Sequence, residues 1–443
     1  MIDDLNFQRV FAQIVATLTR ILGSRHLSLA EEAAQDALVK ALQLWPHQGV
    51  PANPSAWLIQ VAKNRALDLL RRDQRLVELD TSNGDRATAR LNQEVAACAA
   101  ASGSSDADPS AAARLRSETP PPDDDELAMM FLACHPILPR EARVALTLKT
   151  VCGFGVGEIA RAFLAREDAV AQRLVRAKRQ LREADVDFDL TAADYAERLD
   201  SVLDVLYLLF NEGYTAHAGD RLVRSDLCRE AIRLGDLLAA PGTRLCTTNE
   251  AAAVHALLAL MHLQAARLPA RVGDDQVLLR LAEQDRSLWD ESSIARGLQH
   301  LDAAASGDTL TVYHVEAGIA ACHAVAARYD DTDWPRIAVL YDSLIVMKPT
   351  PIVALNRAIA LSRVHGPRAG LAAVEAIADD PLLARYYLLH ATLGELALET
   401  GDRDRAGNSF RAALECECSD PERRFLEKRL RTAERLISAA RRL

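Results

Sequence analysis

Apolar residues recur at spacings of three and four along almost the whole 443-residue chain, and this period restricts its possible folds most strongly. Alanine and leucine dominate, and valine and isoleucine occur mostly at the same helical spacing. A half-buried strand needs apolar and polar residues to alternate, and that pattern is nearly lacking. The sequence therefore predicts an all-α fold. The chain is too long for one hydrophobic core, so we expect several domains.

Composition divides the chain into four parts, namely 1–80, 81–122, 123–187 and 188–443. The second part contains small residues in the run 99–109 and three successive prolines at 120–122. Such a composition buries little apolar surface, so 81–122 is predicted to be a flexible linker. The other three parts are predicted to be helical domains.

Three helices are predicted in the first part. The first has an apolar face with helical spacing, formed by Phe7, Val10, Phe11, Ile14, Leu18 and Ile21. Ser28 and Glu31 have the spacing of a capping box that would open the second helix. Prolines in 46–54 predict a stiff loop, and a third helix is expected from Ser55 to about Arg75.

Charge is distributed unevenly along the chain. The net charge is -10, yet residues 140–182 carry a net +6 and residues 183–443 a net -11. A local basic segment is the electrostatic feature that phosphate binding requires, whatever the overall sum. Nucleic-acid binding therefore remains open for an acidic chain.

The basic segment contains a helix-turn-helix pattern. A short helix at 158–163 and a turn at 164–166 are followed by a helix that starts at Glu167. Its apolar stripe is Val170, Leu174, Ala177 and Leu181, and its polar face comprises Asp168, Gln172, Arg176 and Arg179, flanked by Arg173 and Lys178. Such a second helix enters the major groove, where Gln pairs with adenine and Arg with guanine. The alternative is a basic helix that is merely solvated.

The third predicted helix carries two stripes. Leu58, Val61, Ala62 and Leu69 form an apolar stripe, and a second stripe contains Trp57, Asn64, Asp68, Arg71 and Arg75. An aromatic ring in line with arginines suits an unstacked single strand, because bases stack and phosphates are neutralised. Taken alone, the stripe is better interpreted as a core tryptophan beside a solvated face.

The order of these two segments resembles a bacterial sigma factor of the extracytoplasmic-function type. Residues 30–42 and 57–72 resemble region 2 of that family, and the helix-turn-helix resembles region 4. Further motifs look like the subgroup with a tetratricopeptide-like tail, among them Cys134-His-Pro, Phe210-Asn-Glu-Gly-Tyr-Thr and Asp331-Thr-Asp-Trp-Pro. The glycine-rich stretch 151–157 departs from the family pattern. These glycines are expected to make the segment that leads into the helix-turn-helix less rigid.

The resemblance implies a role for each segment. Glu32, Asp36 and Lys40 would bind the clamp of the β′ subunit of core RNA polymerase, and region 4 would meet the β flap. The loop 46–54 and the following helix would open the promoter −10 element and hold a flipped base. The implied −10 residues are Trp57, Lys63, Asn64, Arg65, Arg71 and Arg72. The implied −35 residues are Asp168, Gln172, Arg173, Arg176, Lys178 and Arg179.

The last part is predicted to be a helical extension that ends in repeats. Gly394, Ala406, Phe410 and Ala413 fit the pattern of a tetratricopeptide repeat, and a degenerate copy stands 34 residues earlier. Because helical repeats expose partner-binding surfaces, we expect a built-in regulator. Its acidic charge favours contact with the basic helix 167–181 of the same chain or with a regulatory protein.

No catalytic residue, cofactor or metal is expected in any part. The tail histidines are dispersed in sequence and are interpreted as packing residues, and Glu212 and Arg286 as a buried pair at a helix end. The cysteines are scattered and form no CxxC pattern, so free thiols in a reducing cytoplasm are expected. No membrane contact is expected, since no 18-residue apolar run occurs. Two other classes stay open, a repeat scaffold and a repressor that acts without polymerase, whereas an enzyme is least supported.

Overall fold

A computed structural model describes residues 7–76, 122–163, 165–186, 188, 191–214, 224–240, 247–273 and 277–440. The chain forms two compact units, Met1–Val205 and Leu206–Leu443. All regular elements in the described ranges are helices, as predicted. The predicted linker 81–122 lies outside these ranges except for Pro122, so its flexibility stays a prediction.

The helices of the first unit follow the predicted order. They are α1 (Phe7–Leu22), α2 (Leu27–Gln48), α3 (Pro54–Leu76), α4 (Pro122–Ala133), α5 (Arg140–Thr150), α6 (Val156–Ala162), α7 (Glu167–Glu183) and the first part of α8 (Ala192–Tyr214). The apolar stripe predicted for α1 is buried at Val10, Phe11, Ile14, Leu18 and Ile21. The stripe of α7 is buried at all four predicted positions.

The second helix differs from the prediction at both ends. It begins at Leu27 with His26 as N-cap, and no side chain caps it, so the predicted capping box is wrong. Its other end runs to Gln48 with Pro46 inside the helix. The next residue, Gly49, has φ of +83°, a conformation that glycine adopts without steric cost. The predicted loop 46–54 therefore shrinks to the five residues 49–53.

The start of α8 belongs to the first unit. The Tyr195 ring lies 4.6 Å from the Phe131 ring, edge to face. Ser201 donates through Oγ to the carbonyl oxygen of Cys134 at 2.6 Å and accepts from Nη1 of Arg143 at 2.5 Å. Residues 191–205, which the sequence assigned to the extension, thus complete the core around α4 and α5.

The second unit continues with the rest of α8 and ten further helices in the described ranges. They are α9 (Ser225–Ala239), α10 (Thr248–Ala265), α11 (Glu291–Ala304), α12 (Val312–Ala324), α13 (Trp334–Met347), α14 (Pro351–His365), α15 (Pro367–Glu375), α16 (Tyr387–Thr400), α17 (Arg403–Glu415) and α18 (Asp420–Ala440). Between α10 and α11 the described residues form short 3-10 helical turns and one isolated β-bridge between Val272 and Leu278.

The central helix of this unit is α10. The segment Thr248–Ala270 is the one described stretch that is long and apolar enough to cross a membrane, and 67 % of its apolar 18-residue window is buried within the protein. A helix that is apolar on all sides and packed by neighbours is what the core of a large domain requires. Helix α10 is therefore the core helix of the second unit.

The terminal helices pack in consecutive pairs. A Cβ atom at Gly394 of α16 would lie 2.7 Å from the Phe410 ring of α17, so only glycine permits this approach. Ala406, Phe410 and Ala413 are fully buried in the same cluster. These are the four positions from which the sequence predicted a repeat, although a tetratricopeptide assignment stays a prediction.

Two tail motifs adopt a different arrangement from the one predicted. Gly213 lies inside α8 rather than after its end, where it packs against Cys228. Arg286 donates from Nη1 to the carbonyl oxygens of His323 and Ala326, both at 2.6 Å. Its guanidinium is therefore held by backbone carbonyls and not by the predicted partner Glu212.

The described cysteines are free thiols, as predicted, and most are buried. Burial raises the pKa of Cys134 and of Cys228 to about 12. These thiols stay protonated at neutral pH, which makes them poor nucleophiles.

Candidate nucleic-acid interface

Helix α7 presents one apolar and one polar face. Val170, Leu174, Ala177 and Leu181 are at most 4 % exposed. The polar face has four exposed members, Asp168, Gln172, Arg176 and Arg179, while the flanking Arg173 and Lys178 are half-buried. The period of the sequence places these two faces on opposite sides, so α7 offers a basic surface above a closed core.

The short helix α6 fixes the approach to α7. Glu158 accepts a hydrogen bond from the backbone N–H of Gly155 at 2.7 Å, which caps the first turn of α6. Its other carboxylate oxygen lies 3.3 Å from Nε2 of Gln8 on α1. Glu158 therefore fixes both the first turn of α6 and the contact between α6 and α1.

The polar residues of α7 differ in their partners. Asp168 is bound by Arg166, with 2.7 Å between Nη2 and Oδ2. Arg179 lies 3.5 Å from Glu183, one turn further along. Gln172 and Arg176 have no side-chain partner within the described ranges. These two side chains are free to meet a base or a phosphate.

Lys178 is occupied within the protein. Its ammonium forms an ion pair with Glu31 of α2, and both side chains are largely shielded from solvent. Glu31 was predicted to cap α2, so its role as the partner of Lys178 was missed. The sequence offered no signal for it, because the two residues are 147 positions apart.

Helices α2 and α3 bring together residues that were predicted for two different partners. Nε of Arg65 lies 2.5 Å from Oδ2 of Asp36, and Nη2 lies 3.9 Å from Glu32. Arg65 was predicted for DNA, whereas the two acids were predicted for polymerase. Lys40 on the same helix is exposed.

The remaining predicted −10 residues fall into two groups. Asn64, Arg71 and Arg72 are exposed, and Gln60 donates to Asn64 at 3.3 Å. Lys63 is only 4 % exposed, and Trp57 is half-buried with its ring 5.5 Å from that of Trp45. Trp45 had not been singled out, although a tryptophan near the end of α2 was available as a partner for Trp57.

The glycine-rich entry to the helix-turn-helix is tightly packed. Gly153 has φ of +71°, and a Cβ atom there would lie 2.3 Å from the carbonyl oxygen of Gln8. Both the backbone conformation and the close approach demand glycine. The expectation that glycines loosen this entry is therefore wrong at Gly153.

Several contacts join the two halves of the first unit across this entry. Arg20 of α1 is paired with Asp125 of α4 at 2.9 Å, and the Lys149 ammonium lies over the Phe11 ring at 5.2 Å. Burial lowers the pKa of Lys149. Helices α1–α3 and α4–α7 thus form one packed body in which α7 keeps its polar face exposed.

Comparison with known families matches three segments of the chain. Residues 7–76 match sigma-70 region 2, and residues 128–181 match sigma-70 region 4. Residues 198–305 match DUF6596, a family of unknown function. No solved structure matches the chain.

An uncharacterised protein of Rhizobium meliloti (strain 1021) is 37 % identical over 407 residues, which covers 92 % of this chain and 90 % of the relative. The region 2 match coincides with α1–α3, and the region 4 match runs from α4 into α7. Sigma-70 regions of this kind bind core RNA polymerase and recognise promoters, as a specificity subunit without a catalytic role. The chain therefore belongs to the sigma-70 family of the extracytoplasmic-function type, extended by a second helical unit.

Proposed function

We propose that the protein directs core polymerase to promoters through two separate helices, with α7 at the −35 element and α3 at the −10 element. The observation that carries this proposal is the exposed face of α7, where Gln172 and Arg176 lack partners among the described side chains. Bidentate Arg–guanine and Gln–adenine bonds need such unoccupied donors and acceptors. Asp168 flanks this pair and orients the helix. Arg173 and Arg179 flank it as well and meet phosphates.

At the −10 element, the exposed residues Asn64, Arg71 and Arg72 meet the separated strand, and Trp57 provides the stacking surface. Lys63 and Arg65 act differently because they are buried or paired in the free protein. We propose that Arg65 becomes available to DNA when Asp36 and Glu32 turn to the β′ clamp, together with Lys40. Region 4 contacts the β flap, and the protein works in the cytoplasm.

Reconstitution with core polymerase tests this function. We expect the purified chain to co-elute with core and to open a promoter selected from a random pool. Binding to duplex DNA without polymerase would indicate a repressor, and failure in both assays would indicate a scaffold. Either result would contradict the proposal.

For the second unit we propose regulation of the sigma regions, either within the chain or through a regulatory protein. The support is electrostatic, since residues 140–182 carry a net +6 and residues 206–443, which form the second unit, a net -4. Opposite charges of this size attract over about one Debye length at physiological salt. A repeat-like helical surface is suited to such a contact.

The test is a chain that ends at Val205, where the first compact unit ends. This boundary keeps Tyr195 and Ser201 in the core, whereas a cut at the predicted boundary after residue 187 would remove them. We expect promoter-specific transcription by this chain to differ from that of the full chain, and the difference to shrink at high salt. Equal output at all salt concentrations would refute the regulatory role.

A further inference from the structure

Three helices of the second unit bring together a histidine cluster, defined here as Asp236, His255, His262 and His300. Asp236 lies on α9, His255 and His262 on α10, and His300 on α11. One ligand atom from each of Asp236, His262 and His300 lies within 4.8 Å of the other two. The tail histidines had been interpreted as dispersed packing residues, yet the fold brings His255, His262 and His300 together.

His262 is the buried member of the cluster. It is 3 % exposed, and neither ring nitrogen has a hydrogen-bond partner among the described residues. Buried polar groups without partners are rare, because each forgoes the hydrogen bonds that it makes in water. Two such nitrogens on one ring, beside another imidazole and a carboxylate, form a donor set that is suited to a cation.

The ring of His262 is in the protonation state that metal binding needs. Burial, together with the neighbouring His300, lowers the pKa of His262 to about 4. The imidazole is therefore neutral at physiological pH and has a lone pair available. Burial likewise lowers the pKa of His300.

Two glycines allow the three helices to come this close. A Cβ atom at Gly235, next to Asp236, would lie 2.8 Å from Cδ2 of Leu258 on α10. A Cβ atom at Gly297, one turn before His300, would lie 2.7 Å from Cγ of Leu263. Helices α9 and α11 can approach α10 on both sides of the cluster because these positions lack side chains.

His255 holds His300 in position. The two Nδ1 atoms lie 2.9 Å apart, so one ring donates to the other. This bond engages Nδ1 of His300 and leaves Nε2 for a metal ion. A hydrogen bond to the second ring nitrogen is the usual way in which a metal-bound histidine is oriented.

From this geometry we propose that Asp236, His262 and His300 bind one divalent transition-metal ion of the zinc class, with His255 as the residue that orients His300. Imidazole and carboxylate ligands are typical of Zn²⁺, which takes three protein ligands and keeps a fourth position for water or another group. This site is independent of promoter recognition and gives the DUF6596 segment a ligand of defined chemistry.

Small movements complete such a site. A tetrahedral ion with Zn–N bonds of about 2.0–2.1 Å needs ligand atoms about 3.4 Å apart, so ligand atoms that lie within 4.8 Å of one another must close by at most about 1.4 Å. Asp236 and Arg296 are both on the exposed side, and the Arg296 guanidinium lies near enough to oppose the rise in the pKa of Asp236 that burial causes. In the proposed site the metal ion replaces Arg296 as the positive charge beside Asp236, and the exposed Arg296 side chain turns to solvent.

Metal binding to the untagged full-length chain tests the proposal. After treatment with chelator, the protein is titrated with Zn²⁺ and with Co²⁺, whose visible absorption reports tetrahedral coordination. We expect one ion per chain and a higher melting temperature with zinc. His300→Ala should abolish the cobalt spectrum, and Asp236→Asn should weaken zinc binding at least about tenfold.

The matched control is Asp302→Asn, because Asp302 is an exposed aspartate on α11 outside the cluster. It should bind zinc like the wild type. Circular dichroism of each variant without metal separates lost binding from lost folding, and Asp236→Asn alters an exposed side chain of nearly equal volume. The proposal is wrong if the wild type binds neither ion, or if Asp236→Asn and His300→Ala bind as the wild type does.

Discussion

The polar face of α7 and the histidine cluster are both candidate binding surfaces, but they are built in opposite ways. The face of α7 comes from one continuous helix of 17 residues, and its polar side chains point to solvent. The cluster draws on three helices between residues 225 and 304, and its central ring is buried. Local periodicity decides the first arrangement, whereas only tertiary packing creates the second.

This difference determines what each surface can tolerate. A surface on one side of a helix separates stability from binding, because its buried stripe supports the fold and its exposed stripe meets the partner. In the histidine cluster, the polar ring of His262 lies inside the core, so a change in its charge alters binding and stability together. The following predictions test that contrast.

The largest effect is expected from the buried stripe of α7. Leu174→Ala should lower the free energy of unfolding by about 2–5 kcal/mol, because a cavity replaces a core side chain. Val175→Ala is the matched control, since Val175 is the next residue and is 66 % exposed. Its effect should stay within about 0.5 kcal/mol. If urea denaturation shows that Leu174→Ala and Val175→Ala lose similar free energies of unfolding, α7 lacks two distinct faces.

The next effect concerns His323, a half-buried histidine of the tail. Burial, aided by Arg267 and Arg286, lowers the pKa of His323 to about 3, so the unfolded chain binds a proton that the folded chain rejects. Stability should therefore fall as pH decreases below about 6.5, by about 2–3 kcal/mol over two pH units. In His323→Leu this part of the loss should vanish. Parallel stability–pH curves for both proteins would contradict the assignment.

A smaller effect is expected at the exposed stripe of α7. Arg176→Ala should weaken promoter binding by the holoenzyme by about 1–3 kcal/mol and should relax the base preference at the position that Arg176 contacts. Arg182→Ala provides the control, because Arg182 is also exposed on α7 but lies outside the proposed face. Equal binding of the two variants, measured by titration at several salt concentrations, would place the interface elsewhere. Neither change should alter the melting temperature.

The smallest effect concerns the ion pair between Arg179 and Glu183, which are exposed and one turn apart. Glu183→Gln should lower stability by only about 0.3–0.5 kcal/mol, since water screens such pairs. Its effect on promoter binding should be a slight gain, because Arg179 loses an intramolecular competitor. A stability loss above about 1 kcal/mol in thermal melts would show that this surface also supports the fold.

Helix faces were the part of this molecule that the sequence predicted well. The buried stripes of α1 and α7 follow from spacing alone, and the four repeat positions around Phe410 lie in one cluster. Helix α3 differs, because its Lys63, which the family resemblance implied as a DNA contact, is buried. A lysine with a long apolar stem fits such a site, and periodicity does not distinguish it from a solvated one.

Contacts between distant segments were not predictable. The pair Glu31–Lys178 and the approach of Gly153 to Gln8 depend on how helices α1–α3 pack against α4–α7. The histidines were spread over the sequence and showed no metal-binding spacing, since the helices between them determine their distance. An isolated sequence contains no direct record of that packing.

The packing of α1–α3 against α4–α7 has a consequence for the first step of transcription. Positions −10 and −35 are about 25 base pairs apart, which is about 85 Å of duplex at about 3.4 Å per base pair. On the proposed assignment of α3 to the −10 element and α7 to the −35 element, two regions joined by Glu31–Lys178 and by the Gly153 contact would have to separate before both elements are bound. We then expect the apparent promoter affinity of the free protein to be reduced in proportion to the fraction of open molecules.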